Sequence, residues 1–458
     1  MKKLIFTALL GLGLSMFFAA CKKDEVVIDT LPATDFSHDI ALEWNTLLLD
    51  VERFTPGYKP PVSARTIGYV GLTAYEAIVH GMSSEYNSLG KYYPGLELPQ
   101  PGSNEIYDWE VCLNAAYEAA FHYFFPTAPA SQQFKIISLA DRWESRLESK
   151  VSQQVFNRSV DFGIEVAHAV YNWSKSDHWG HEAFLSLHDD DYIPPGGTGL
   201  WQPTFPDYQP ALLPHWGKVR TFAATSGDSV DPPLPYSESS NSPIYLEAKE
   251  TQMLVREIKA GGRAEDRWIA EFWSDDCPIL TFTPAGRWIS ITNQIVELEK
   301  LSLEDAVYAY AKVGLALSDA GVKCWAEKYK HNCERPIDYI RRIMLDTEWN
   351  TIMCPDGSGG YYTPNFPTYP SGHATFSSAA AEVLTDLFGQ HYAFTDRSHE
   401  GRTEFNGTPR SFPDFYSMAR ENAYSRVPLG VHFFMDSDAG TALGARVGKR
   451  VNALPWKN

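Results

Sequence analysis

Apolar residues recur at spacings of three and four over most of this chain, and alternating apolar and polar runs are few. This period is typical of amphipathic helices that bury one stripe. In the first half it predicts helices over residues 38–54, 62–82, 105–123, 131–149 and 152–175. In the second half it predicts helices over residues 244–261, 263–274, 284–300, 303–326, 372–388, 414–425 and 435–450.

The two helical regions are separated by a proline-rich segment, residues 189–243, which includes Pro194-Pro195 and Pro232-Pro233. Proline removes a backbone donor and prevents a long helix there. Because amphipathic helices must bury their stripes against one another, the pattern predicts an all-α fold of two helical bundles, residues 38–188 and 244–458. The second bundle is expected to carry the active site.

The amino terminus has the pattern of an export signal. Residues 1–20 start with Lys2 and Lys3, continue with an apolar stretch and end on small residues, so we exclude them from the fold. Cys21 follows directly and resembles the processed cysteine of bacterial lipoproteins, with residues 21–37 as a tether. We expect an exported protein, periplasmic or at the cell surface, anchored to a membrane by lipid on Cys21; a soluble protein cut nearby is the alternative.

Composition narrows the functional classes. With 44% hydrophobic and 14% aromatic residues the chain is expected to be globular, and its net charge of −18 argues against nucleic acid as a partner. After Cys21, five cysteines remain, an odd number without metal-like spacing. Cys324 and Cys333 are one candidate disulfide, which the sequence alone does not decide.

The residues best suited to catalysis or ligand binding lie in three short motifs in the last third of the chain. The first is Lys328-x6-Arg335-Pro336. A separation of seven residues corresponds to about two helical turns, so both long side chains are expected to leave one helix face, with Pro336 closing the segment. By itself this motif is equally compatible with a solvated basic face.

The second motif, Pro370-Ser371-Gly372-His373, directly precedes an alanine-rich amphipathic segment. We expect it to form a helix amino terminus, where free N–H groups and the helix dipole favour an anion. Gly372 permits close backbone approach, and Ser371 adds a hydroxyl donor. Ordinary capping by Ser371 is the alternative interpretation.

The third motif is Ser425-Arg426-x5-His432-x3-Asp436. If residues 432–436 are helical, Asp436 is expected to hold one ring N–H of His432, leaving the other nitrogen unprotonated. A buried histidine satisfied by a neighbouring carboxylate is the alternative. Together, the three motifs predict three cations and two histidines around one tetrahedral oxyanion. A multiply charged oxyanion is stable in a site shielded from water only when several donors compensate its charge, and these side chains supply them.

With these motifs the chain resembles the type 2 phosphatidic acid phosphatase superfamily and, within it, the vanadium-dependent haloperoxidases, which are all-helical double bundles. The stretches Ile269–Trp273 and Pro364–Tyr369 also resemble the peroxidase branch. The resemblance implies that His432 is the axial ligand of vanadate, that His373 is the acid–base residue and that Asp276 orients it. The other oxygens of vanadate would be held by Lys328, Arg335, Ser371, Gly372 and Arg426, and Trp325 and Phe366 would lie beside the halide.

Two enzymatic functions and one non-enzymatic function follow from this site. The favoured one is oxidation of halide by hydrogen peroxide to a hypohalous species with vanadate as cofactor, in which Lys328 polarises the peroxide. The alternative is hydrolysis of a phosphate ester without a cofactor, with His432 as nucleophile and His373 as acid. The third is a surface lipoprotein that only binds phosphate.

Overall fold

The structure is a computed structural model that describes residues 31–277, 280–355 and 360–458. The predicted export signal and Cys21 lie outside these residues. The described chain is helical apart from turns, loops and one short hairpin, as predicted. Its helices are α1 (Asp39–Phe54), α2 (Pro60–Ile78), α3 (Trp109–Phe124), α4 (Ala130–Leu147), α5 (Gln153–Lys175), α6 (Pro243–Lys259), α7 (Ala264–Phe272), α8 (Pro284–Glu299), α9 (Leu303–His331), α10 (Pro336–Arg342), α11 (Gly372–Phe388), α12 (Phe415–Ser425) and α13 (Phe434–Asn452).

Three features differ from the sequence prediction. Helix α9 continues past residue 326 to His331 and ends where Asn332 adopts a left-handed conformation, with φ of 49°. Helix α10 was not predicted, because Pro336 was interpreted as the end of a helix whereas it occupies the first turn of one, where proline is favoured. The antiparallel hairpin of β1 (Phe394–Asp396) and β2 (Arg410–Phe412) was also not predicted.

Helices α2 and α9 cross at the centre of the molecule. From Pro61 to Ile78 every residue of α2 is buried. Glycines permit the close approach, since a Cβ on Gly68 would lie 2.9 Å from the Ser318 Cβ of α9. One hydrophobic core extends from Ala33 to Trp456. The predicted bundle bounds at residues 188 and 244 stay predictions.

Helix α13 packs against α11 through its glycines, and this contact builds the site. A Cβ on Gly440 would lie 2.6 Å from the Ser371 carbonyl, and one on Gly444 would lie 2.3 Å from the Thr375 carbonyl. No larger residue fits there without a backbone shift. The close packing lets the Ser371 N–H donate to the Asp436 carbonyl at 2.8 Å, so the second and third motifs are joined directly.

The cysteine pairing also differs from the candidate considered above. Cys324 and Cys333 are free thiols, and the disulfide joins Cys277 to Cys354. It links the loop after α7 to the loop between α10 and α11. In the part of the chain that the structure describes, no helix has the length and apolar character needed to cross a membrane.

Candidate active site

Lys328 lies in the last turn of α9, fully buried. Its Nζ donates to the carbonyls of Pro367 at 3.0 Å, Thr368 at 2.9 Å and Pro370 at 2.5 Å. Burial lowers the pKa of Lys328 to about 7, and the positive charge of Arg335 acts in the same direction. The ammonium therefore holds the loop that leads into α11, and one of its three N–H groups must turn away to reach an anion.

Arg335 does not share a helix face with Lys328, contrary to the prediction. It precedes α10 as its N-cap residue. Its Nε donates to the Phe366 carbonyl and its Nη1 to the Val431 carbonyl, both at 2.9 Å. The side chain is fully buried, and burial lowers its pKa to about 10. The planar guanidinium thus joins two loops of the site and still presents Nη2.

The Pro370–His373 motif forms the amino terminus of α11, as predicted. Ser371 is the N-cap residue, and its Oγ accepts from the Ala374 N–H at 3.4 Å. A hydroxyl that accepts one hydrogen bond still has its own hydrogen to donate. His373 is buried in the first turn. Burial and the Arg426 charge lower its pKa to about 4, so the imidazole is neutral near pH 7 while no anion is bound.

Arg426 and Asp276 form the nearest ion pair to His373. The Arg426 Nη2 donates to Asp276 Oδ2 at 2.7 Å. The same carboxylate oxygen lies 3.7 Å from His373 Nδ1, beyond hydrogen-bond distance. Asp276 was expected to orient His373; in the structure its direct hydrogen bond is to Arg426.

His432 and Asp436 are in contact although His432 precedes α13 rather than lying in it. His432 Nδ1 is 2.9 Å from Asp436 Oδ2, which also accepts from the Phe433 N–H at 3.0 Å. His432 Nε2 lies 3.3 Å from Arg335 Nη1, and a guanidinium can only donate. Nδ1 therefore carries the proton, and Nε2 offers its lone pair to the site.

Charges in this pocket are not balanced. Lys328, Arg335 and Arg426 face two carboxylates, Asp276 and Asp436, and burial raises the pKa of Asp436 to about 6. Burial and then the charges of Arg335, Lys328 and Arg426 hold the pKa of His432 well below its ordinary value. We call Lys328, Arg335, His373, Arg426 and His432 the cationic cage.

Several buried nitrogens of the cage have no partner among the described residues. They are Arg335 Nη2, Arg426 Nε, Arg426 Nη1 and His373 Nε2. Leaving a buried donor unpaired costs about 1–3 kcal/mol, and more for a charged group. A net positive cage with three free guanidinium nitrogens fits a multiply charged oxyanion with several acceptor oxygens, which is the shape and charge that phosphate and vanadate share.

Aromatic rings form one wall of the cage. The Trp325 and Phe366 rings lie 4.9 Å apart, and the Trp325 Nε1 donates to the Leu212 carbonyl at 3.2 Å. Phe366 also faces Lys328 Nζ at 5.1 Å and the Arg335 guanidinium at 4.8 Å. Both predicted aromatics are therefore beside the cations, and their role toward halide stays a prediction.

Sequence reasoning missed Thr368, whose hydroxyl donates to Asp436 and lies 3.0 Å from His432 Nδ1. Its position in the Pro364–Tyr369 stretch was the available signal. The Cys277–Cys354 disulfide was missed as well. It begins one residue after Asp276, and its two cysteines are 77 positions apart, which no local pattern connects.

Comparisons with known proteins find relatives of one kind. The family model for the VCPO second helical-bundle domain matches residues 308–455, which include every member of the cage. The vanadium chloroperoxidase of Curvularia inaequalis is 25% identical over 494 residues, covering 88% of this chain and 80% of that protein.

Solved structures of vanadium-dependent haloperoxidases also resemble this chain. The crystal structure titled as the first bacterial vanadium-dependent iodoperoxidase superposes with a TM-score of 0.80 at 27% identity, covering 92% of this chain and 97% of that one. A bacterial vanadium-dependent chloroperoxidase superposes with a TM-score of 0.63 at 15% identity, covering 88% and 93%, and shows the shared fold. The cage, the fold and these relatives together support a vanadium haloperoxidase family for this chain.

Proposed function

We propose that this protein is a vanadate-dependent haloperoxidase that uses hydrogen peroxide to oxidise halide to a hypohalous species. The observation that carries the proposal is the set of buried, unpartnered donors in a cage of net positive charge. The chloroperoxidase and iodoperoxidase relatives support the peroxidase chemistry.

The residues present fit vanadate. His432 Nε2, which carries no proton, would bind the vanadium, with Nδ1–H fixed by Asp436. Arg335 Nη2 and the two free nitrogens of Arg426 would donate to the oxygens of vanadate. The Ser371 hydroxyl and the amino terminus of α11 at Gly372 complete the donor set. Bound vanadate supplies Lewis-acid activation of hydrogen peroxide without a change of oxidation state.

His373 and Lys328 supply proton transfer and polarisation. Halide, hydrogen peroxide and one proton give hypohalous acid and water, so each turnover consumes a proton. His373 Nε2 is unpartnered, and negative charge in the cage raises the pKa of its imidazole from about 4 toward neutrality. Lys328 would polarise hydrogen peroxide by exchanging one of its three carbonyl partners for a peroxide oxygen. Trp325 and Phe366 provide the apolar wall for a weakly hydrated halide.

Phosphate ester hydrolysis uses the same donors but is not favoured, because the matched relatives are haloperoxidases. One assay separates the alternatives. Purified protein is freed of vanadate with a chelator and tested for oxidation of iodide, bromide and chloride by hydrogen peroxide, with and without added vanadate. Iodide oxidation that depends on vanadate is expected, and phosphate release that vanadate inhibits would overturn the proposal.

We also propose that the protein is exported and anchored to a membrane through lipid on Cys21. The apolar residues 1–20 and the cysteine that follows them support this. In a bacterial host, labelled palmitate should be incorporated into the wild-type protein and not into Cys21→Ala. The variant should move from the membrane fraction to the soluble fraction; equal labelling of both proteins would contradict the anchor.

A further inference from the structure

A cavity of about 380 Å³ is lined by Asp276 and by no residue of the cage. Its charged lining residues are Glu52, Arg53, Lys59, Asp275 and Asp276. Asp276 also forms the ion pair with Arg426 and lies 3.7 Å from His373. The cavity and the acid–base side of the cage therefore share this partly exposed carboxylate.

This cavity is an electrostatic obstacle for an anion. The whole chain carries a net charge of −18, and the carboxylates of Asp275 and Asp276 line the cavity, whereas burial raises the pKa of Glu52, its third carboxyl group, to about 8. The wall nearest the cage, Asp276, is itself an acid. A halide that approaches along this route is repelled unless a local cation compensates, whereas neutral hydrogen peroxide is not affected.

Lys59 is placed to supply that compensation. It precedes α2, is half-buried and lines the cavity. Within the described ranges its ammonium has no carboxylate within salt-bridge distance and no hydrogen-bond acceptor. Asp276 acts on it through space, opposing the decrease of the Lys59 pKa that burial causes. Among the described residues, no direct ion pair therefore neutralises this ammonium.

We propose that Lys59 attracts halide into the Asp276 cavity and so determines the efficiency with which the enzyme uses halide but not hydrogen peroxide. The inference rests on the proposed peroxidase function. Lys59 does not contact the reacting atoms and is therefore a positioning residue for the anionic substrate.

Steady-state kinetics test this role with Lys59→Gln, Lys59→Arg and a matched control, Lys249→Gln. Lys249 is exposed on α6 and does not line the cavity, so its replacement removes the same charge elsewhere. At low ionic strength we expect Lys59→Gln to lower kcat/KM for iodide about 5-fold, with kcat/KM for hydrogen peroxide at saturating iodide unchanged. The decrease should shrink in sodium sulfate as charges are screened, and Lys59→Arg and Lys249→Gln should behave like wild type.

A second measurement does not depend on vanadate or turnover. Crystals soaked in sodium iodide should show an anomalous peak beside Lys59 Nζ in the wild type and none in Lys59→Gln. Equal effects of Lys59→Gln and Lys249→Gln, an equal loss for iodide and peroxide, or no iodide at Lys59 in the wild type would overturn the proposal. Wild-type protein without peroxidase activity but with the iodide peak would instead refute the peroxidase function and leave the anion site at Lys59 intact.

Discussion

Two buried clusters of charge meet at adjacent residues of one loop, and they are built on opposite principles. In the first, Arg287 of α8 is fully buried and donates to Asp396 at 3.0 Å, to Asp275 at 3.3 Å and to the Phe272 carbonyl at 3.2 Å. His399 contacts both Arg287 and Asp275. We call Arg287, Asp275, Asp396 and His399 the Arg287 cluster. In the second, the cationic cage, Arg426 has one carboxylate partner and two free nitrogens.

The difference separates a structural cluster from a binding site. Every nitrogen of Arg287 has an acceptor, and two carboxylates outnumber its single positive charge, so the cluster does not need another anion. The cage holds three cations against two carboxylates and keeps donors unsatisfied. Burial of charge is common to both; only the missing counter-charge indicates a ligand. Asp275 belongs to the Arg287 cluster, and the adjacent Asp276 pairs with Arg426 of the cage. This loop therefore connects the structural cluster to the candidate active site.

The largest effects are expected for the histidines of the cage. His432→Ala should abolish retention of vanadate and with it activity, because Nε2 is the atom left to coordinate. His373→Ala should retain vanadate and lower kcat about 1,000-fold, the usual range for loss of a general acid–base residue. Vanadium content after gel filtration and the rate of iodide oxidation measure the two effects separately. Wild-type activity in either variant would contradict the assignment.

Stability should respond most to the Arg287 cluster. Arg287→Met leaves Asp275 and Asp396 buried without a cation, and breaking such a pair costs about 3–5 kcal/mol of unfolding free energy. Arg426→Met, the matched change in the cage, should cost only about 1–2 kcal/mol, because it relieves repulsion among the cations and Asp276 is partly exposed to water. Urea unfolding of the vanadate-free proteins measures both. A larger loss for Arg426→Met would remove the distinction between the two regions.

The sequence predicted the helical fold because amphipathic period is a local property. Helix α11, for example, has the predicted bounds of residues 372 and 388. The cage was also found, since its members lie in short motifs whose proline and glycine residues mark helix ends. The Arg287 cluster was not found: a single arginine in α8 has the same local pattern whether it faces solvent or the core. Its partners lie more than 100 positions away at Asp396 and His399, and only the packed chain connects them.

The disulfide next to Asp276 gives the third effect. Replacing Cys277 and Cys354 by alanine releases a closed loop of 77 positions, and we expect a loss of about 2–4 kcal/mol in unfolding free energy. Because the bond fixes the loop shared by the two clusters, the variant should also show a shifted pH profile of kcat. A matched control, Cys112→Ala, removes a buried thiol outside the loop and should leave the profile unchanged. An unchanged profile in the double variant would show that the Arg287 cluster alone positions Asp276.

The smallest effect is expected in the pH dependence of stability, to which two histidines contribute differently. Burial lowers the pKa of both, His373 in the cage and His399 in the Arg287 cluster. For His373 the folded pKa of about 4 lies below the ordinary value of 6.5, so the folded state binds fewer protons and stability falls as pH decreases through this window. At pH 5 the lowered pKa of His373 reduces the free energy of unfolding by about 2 kcal/mol, measured as the difference in its pH dependence between wild type and His373→Asn. Phosphate, an inert oxyanion for the cage, should raise the His373 pKa and reduce this difference. The contribution of His399, measured with His399→Asn, should not respond to phosphate, because the single charge of Arg287 already faces two carboxylates. Equal sensitivity of both contributions to phosphate would mean that the anion does not bind in the cage.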